Sequence, residues 1–201
     1  MIYTERYTMV IVMENKENLI KTALNLFAHR GYEAVGVAEI VCQAGVTKPT
    51  LYHYFGNKEG LLMAIIEPIF FDFERDLKKA AHYEGDLVKS IEQLIQTYLS
   101  FVLNNELYFR LYLALIFAPT SNMTHQRMRP FGQKIKDLFV QLFVSAVPGH
   151  GNLRGHEPFL ANALLGLLNH YGLSLLNGEF QMSESFIVQV GKQYMHGIYA
   201  L

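Results

Sequence analysis

Apolar positions recur every three or four residues along nearly the whole chain, the period of helices with one buried face. From Asn15 to Arg30 they fall at Leu19, Ile20, Ala23, Leu24 and Phe27, and Gly31 follows where a helix C-terminus is expected. A short second helix is predicted from Val37 to Ala44, with Val37, Ile40, Val41 and Ala44 inward and Cys42 beside them as a small buried hydrophobe. Gly45 then supplies a tight turn. Thr47 caps a third helix running from Lys48 to Tyr54 or Phe55, with Pro49 in its first turn and Leu51 and Phe55 kept for the core.

A long helix from Lys58 carries Leu61, Leu62, Ile65 and Ile66, then meets Pro68, which is expected to kink it or end its first segment. Further helices are predicted at Asp86 to Leu103, Glu106 to Phe117, Asn122 to Val147 with Pro130 inside, Pro158 to Leu176, and Glu184 to Ala200. The glycine-rich stretch from Pro148 to His156 is the one long connection. The fold class is therefore all-α: a three-helix domain over residues 14–62, followed over residues 63–201 by a larger helical bundle. The opening MIYTERYTMVIV fits no helix pattern. It reads as an N-terminal arm, or as an extension ahead of a translation start at Met9 or Met13.

Three short helices with a glycine turn between the second and third describe a helix-turn-helix. In that motif the second helix of the pair enters the DNA major groove, led by its N-terminal residues. Lys48, Thr50, Tyr52, His53 and Tyr54 are the side chains left pointing outward. Lysine, threonine and tyrosine can bond phosphate oxygens, and threonine or tyrosine can also touch a base edge or a thymine methyl. Lys58 opens the next helix, where its charge and the helix N-terminus can hold a phosphate together.

The run LNLFAHRGYEAVGVAEIVCQAGVTKPTLYHYFGNKEGLL resembles the DNA-binding domain of the TetR family of bacterial transcriptional regulators. Its landmarks are Phe27, Gly31-Tyr32, Ile40, Ala44-Gly45-Val46, Thr50-Leu51-Tyr52, Tyr54-Phe55, Lys58-Glu59 and Leu61-Leu62. The resemblance implies DNA contacts from Thr47, Lys48, Thr50, Tyr52, His53, Tyr54 and Lys58. It also implies a homodimer on a near-palindromic operator, a repressor released by a small ligand, and a ligand that acts through the helix starting at Lys58. This chain departs from the family at Gly36, where a serine or threonine would complete a capping box with Glu39.

Charge qualifies that picture. The formal net charge is -1, so DNA affinity has to come from a local patch. Residues 1–62 hold six basic side chains against six acidic ones, which predicts modest affinity and a shallow salt slope. The alternative reading is a helical interaction or ligand-binding protein of the same fold with weak or lost DNA binding. The single Cys42 permits no internal disulfide and suits the reducing cytoplasm.

The last two predicted helices, about 158–176 and 184–200, read as the homodimer interface. The penultimate is apolar nearly all round. The final one carries two adjacent stripes, Phe186-Val190-Tyr194-Ile198 and Ile187-Gly191-Met195-Tyr199, which call for two neighbours. No charge lies between Glu157 and Glu179, but Asn162, Asn169, His170, Ser174 and Asn177 favour a buried helix over a membrane span.

The middle helices are rich in phenylalanine, tyrosine and methionine, which suits an apolar or aromatic effector. Phe101, Tyr108, Arg110, Tyr112, Met123 and His125 are the ligand-contact candidates, Arg110 and His125 supplying orienting polar groups. No pair among the eight histidines sits at i, i+4, and no metal or other cofactor is expected. With no H-E-x-x-H, Walker-type loop, G-x-S-x-G or G-x-G-x-x-G, the chain reads as a non-enzyme.

Overall fold

The computed structural model describes residues 2–197, with side chains from Glu14 onward. The chain is helical throughout: α1 (Ile2–Arg30), α2 (Val37–Gln43), α3 (Lys48–Phe55), α4 (Lys58–Ala80), α5 (Leu87–Asn104), α6 (Glu106–Ile116), α7 (Met123–Ala146), α8 (Glu157–Leu176) and α9 (Glu184–His196). No strand occurs among the described residues, and a single 3-10 turn at Gly151–Leu153 interrupts the connection between α7 and α8. Two expectations are corrected: α1 begins at Ile2, although the opening residues fit no helix pattern in the sequence, and α4 continues past Pro68, so the proline does not end it.

The helices form two compact units. The first takes the chain through Phe70 together with Leu107–Met128; the second takes Phe71–Glu106 and the chain from Arg129. In the first, α1, α2 and α3 pack on one another around Leu19, Ala23, Phe27, Ile40 and Leu51, all fully buried. Five residues after Gly31, the chain enters α2 through Gly36, whose lack of a side chain leaves that helix without a side-chain cap. The Phe70 ring packs on Tyr112 of α6 with centroids 5.1 Å apart.

In the second unit α5 packs against both α8 and α9. Its inner face of Leu94, Ile95, Tyr98 and Leu99 is fully buried, and the Tyr98 hydroxyl donates to Asn169 Oδ1 of α8 at 2.6 Å. The Tyr98 ring meets Phe73 of α4 and Phe139 of α7 edge-on.

Helix α9 has its two neighbours within its own chain. Along the Ile187-Gly191 stripe a side chain at Gly191 would sit 3.5 Å from Glu92 and 3.7 Å from Ile95 of α5. On the other stripe the Phe186 ring lies against Tyr171, and the Tyr194 hydroxyl donates to the Leu160 carbonyl at 2.9 Å, both in α8. Ile198 and Tyr199 lie outside the described residues. Phe186, Tyr194 and Met195 of α9 stay half-buried, and more open apolar surface lies on α8. Only a third of its most apolar stretch is buried, contrary to the buried helix its composition predicts. Phe159 is 75% exposed, and Asn162, Ala163, Gly166 and His170 follow it along one open face.

Candidate nucleic-acid interface

Local chemistry fixes the turn that presents α3. Gly45 adopts φ 67°, a left-handed conformation that glycine reaches without the Cβ clash other residues incur. The backbone then becomes extended at Thr47, whose Oγ1 accepts from the Thr50 N–H at 3.4 Å and caps α3. The Thr50 hydroxyl lies 2.9 Å from that of Thr47, so the two threonines form one polar edge at the leading end of the helix. Leu51 and Phe55 anchor the opposite face in the core.

Thr47, Lys48, Tyr52 and His53 are exposed, while Thr50, Tyr54 and Lys58 are half-buried. Tyr54 packs between His53 and Phe55, with ring centroids 5.4 and 6.0 Å away, which limits its reach from the surface. Tyr52 is 48% exposed and its hydroxyl is available to an incoming partner. The six-carbon aromatic body with one polar tip suits contact with both a sugar-phosphate edge and a base.

The turn into α4 is closer than the sequence discloses. Asn57 Oδ1 accepts the Gly60 N–H at 2.7 Å and caps the helix. A Cβ at Gly60 would sit 2.0 Å from the Phe55 carbonyl oxygen, so glycine is required there by contact rather than by backbone angle. Lys58 does not extend freely from this turn. Its Nζ lies 4.0 Å from the centre of the Tyr32 ring and 5.9 Å from that of Phe27. Partial burial pushes the lysine pKa down, an effect opposed by the carboxylate of Glu33. Burial, followed by Glu33 and Glu59, pushes the Tyr32 hydroxyl up to about 12.

Two acidic residues of this region are already paired. Arg30 bonds Glu39, across the turn from α1 to α2, and Arg127 Nε lies 2.7 Å from Glu59 Oε1. Arg127 comes from α7, far away in sequence, and no periodicity or motif points to it. Cys42, predicted inward, is exposed. In a helix of seven residues Ile40 and Val41 occupy the whole buried arc, and the next position turns to solvent.

The ligand-contact candidates are distributed between the units. Tyr108, Arg110, Tyr112, Met123 and His125 belong to the first, and Phe101 to the second. Tyr112 is buried against Phe70, which pushes its hydroxyl up to about 12, while Met123 is 63% exposed. His125 keeps its Nδ1 buried with no hydrogen-bond partner among the described residues. Phe101 stacks on Phe73 with centroids 3.8 Å apart and lines a cavity of about 640 Å³ in the second unit. That cavity is walled by Gln93, Gln96, Thr97, Ser100 and Asn104, and is more polar than the apolar chamber the composition predicts.

The family model for bacterial regulatory proteins of the tetR family matches residues 19–65, the segment holding α2, α3 and the start of α4. The transcriptional repressor ComR of Escherichia coli is 33% identical over 93 residues, 45% of this chain and 41% of its own. The transcriptional activator FasR of Mycolicibacterium smegmatis is 28% identical over 98 residues, 49% of this chain and 45% of its own. The chain thus matches under half the length of these relatives. Over nearly its full extent it shares the fold of the regulator FadR from Bacillus subtilis, solved in complex with stearoyl-CoA. The TM-score is 0.73 at 17% identity, covering 90% of this chain and 98% of that one. It is thus residues 19–65, the helix-turn-helix, that match the tetR family of bacterial regulatory proteins, while the remaining helices share the fold of a full-length regulator.

Proposed function

We propose that the protein is a sequence-specific DNA-binding transcription regulator of the cytoplasm, reading duplex DNA through α3. One observation carries this reading: a helix capped by Thr47 holds Leu51 and Phe55 inward while Lys48, Tyr52 and His53 stand exposed on a rigid support. Thr47, Thr50 and Tyr54 complete the proposed contact surface, and Lys58 supplies a phosphate contact beside it. Two copies would place two such helices on a near-palindromic site. The open face of α8, with Phe159 leading Ala163 and Gly166, is the surface proposed for that dimer, continued by α9.

The proposed mode is repression relieved by a small apolar effector. An acyl chain is the first ligand to test, because the B. subtilis FadR fold holds stearoyl-CoA. The relatives themselves include both an activator and a repressor, so a reporter assay decides the sign.

Selection from random duplexes tests the central claim, with Lys48→Ala and Tyr52→Ala variants alongside. Enrichment of a near-palindrome by the parent protein and its loss in both variants is the expected result. The even charge balance of residues 1–62 favours a second reading, a ligand-binding protein of this fold without DNA. Absence of any enriched sequence at low salt, with and without stearoyl-CoA, establishes that second reading instead.

A further inference from the structure

The two carboxylates nearest the Lys58–Tyr32 pair are both engaged by the opening turn of α7. Asn122 Nδ2 donates to Glu33 Oε1 at 3.0 Å, and Arg127 Nε bonds Glu59 Oε1 at 2.7 Å. The same Asn122 uses its Oδ1 to accept the Thr124 N–H at 2.8 Å. One amide therefore caps α7 with its oxygen and holds Glu33 with its nitrogen. Both contacts reach into the reading head from residues that follow it by more than half a domain.

As stability devices these contacts are poor. The Arg127 side chain is 60% exposed and that of Glu59 38% exposed, and an ion pair so open to water and salt contributes little to folding. Their position matters more. Glu59 directly follows Lys58 at the N-terminal turn of α4, where a phosphate is proposed to sit. An unpaired carboxylate there cancels the lysine and repels the DNA backbone. Over residues 14–62 five lysines and arginines face five glutamates, so the reading head has no surplus positive charge of its own.

We infer that Arg127 is a positioning residue for DNA recognition, contributed by α7 to neutralise Glu59 so that Lys58 acts on the DNA backbone as an uncancelled charge. Asn122 does the same more weakly by holding Glu33 away. The shortage of positive charge in the helix-turn-helix is thus made up from outside it. This inference rests on the DNA-binding reading above.

The test is a double-mutant cycle in the full-length protein, reading affinity for the selected duplex by fluorescence anisotropy at low salt. Arg127→Gln is expected to weaken binding about fivefold, the order of one nearby unscreened charge. Glu59→Gln alone tightens it. The double variant returns to within about twofold of the parent, because the carboxylate that needed neutralising is gone. Unfolding midpoints stay with the parent throughout. A double variant as weak as Arg127→Gln would mean that the arginine touches DNA directly, and overturns the inference. So does an Arg127→Gln protein that binds as well as the parent, or one whose weakness follows a lowered unfolding midpoint. A parent protein that binds no duplex overturns the DNA reading itself, and this inference with it.

Discussion

Lys58 Nζ stands 4.0 Å from the centre of the Tyr32 ring, so the first basic residue of α4 is held against an aromatic face contributed by the turn that follows α1. A cation over a tyrosine ring gains about 0.5–2 kcal/mol, depending on how far it is desolvated. The contact fixes where the charge lies. Replacing Tyr32 with leucine is expected to cut DNA affinity about fivefold while leaving the slope of affinity against salt unchanged, since the charge survives. Lys58→Met should lower the slope by about one, because one phosphate contact is lost outright. Titrations at several salt concentrations separate the two. Identical slopes for both variants would remove Lys58 from the DNA surface.

Alkaline stability follows from three tyrosines. Tyr32 and Tyr112 are each pushed up from 10.0 to about 12, and Tyr194, bonded to the Leu160 carbonyl, is also raised by burial. A raised pKa means the folded state keeps its proton where the unfolded chain has lost it. The contribution of these groups is whole below pH 10.0 and is lost as the pH climbs from there to about 12. Lys58, shifted down, works in the opposite sense just below its ordinary range and offsets a small part of the loss. Denaturant unfolding across this window should show falling stability, with these tyrosines ionising only as the helical signal disappears. Complete tyrosine ionisation in a protein that stays helical would contradict it.

Gly60 and Gly36 should respond oppositely to a side chain. At Gly60 a Cβ meets the Phe55 carbonyl at 2.0 Å, and Gly60→Ala is expected to destabilise by about 3 kcal/mol or more. At Gly36 the backbone is extended at φ -93° and ψ 151°, with nothing within 4 Å of a new Cβ. Gly36→Ser supplies the missing cap of α2 and should stabilise by a few tenths of a kcal/mol. Chemical denaturation of both variants checks the pair.

Tyr98→Phe removes the hydroxyl that donates to Asn169 while keeping the ring against Phe73 and Phe139. The cost should be about 1–2 kcal/mol, that of a buried hydrogen bond lost at constant packing. A variant as stable as the parent would show that water or another group satisfies Asn169.

The helix-turn-helix was legible in the sequence because its determinants are local. Gly45 in a left-handed turn, Thr47 as a cap and Asn57 before α4 each act within four residues of themselves. Helical periodicity also located α5 to α9 to within a residue or two over the described chain. What periodicity could not supply was the identity of the neighbour. The two stripes of α9 are apolar as read and meet the chain's own α5 and α8, yet Phe186, Tyr194 and Met195 stay half-buried, beside the open face of α8. Cys42 went astray because a seven-residue helix has too few turns to define which flank of its stripe is buried. Arg127 and Asn122 were invisible for a simpler reason: their partners are set by tertiary placement, which leaves no spacing to read.

Pro68 and Pro130 both lie inside helices, and both fall within two residues of the place where their helix passes from one compact unit to the other. Proline carries no N–H, so the carbonyls of Ala64 and Gln126 each lose the helical partner that would have stood four residues ahead. Helices α4 and α7 are therefore each missing one rung of their hydrogen-bond ladder. Amide exchange around these two turns should outpace that of the other mid-helix turns of α4 and α7. Each of these helices thus carries its weak point in its interior, where a ladder is ordinarily strongest.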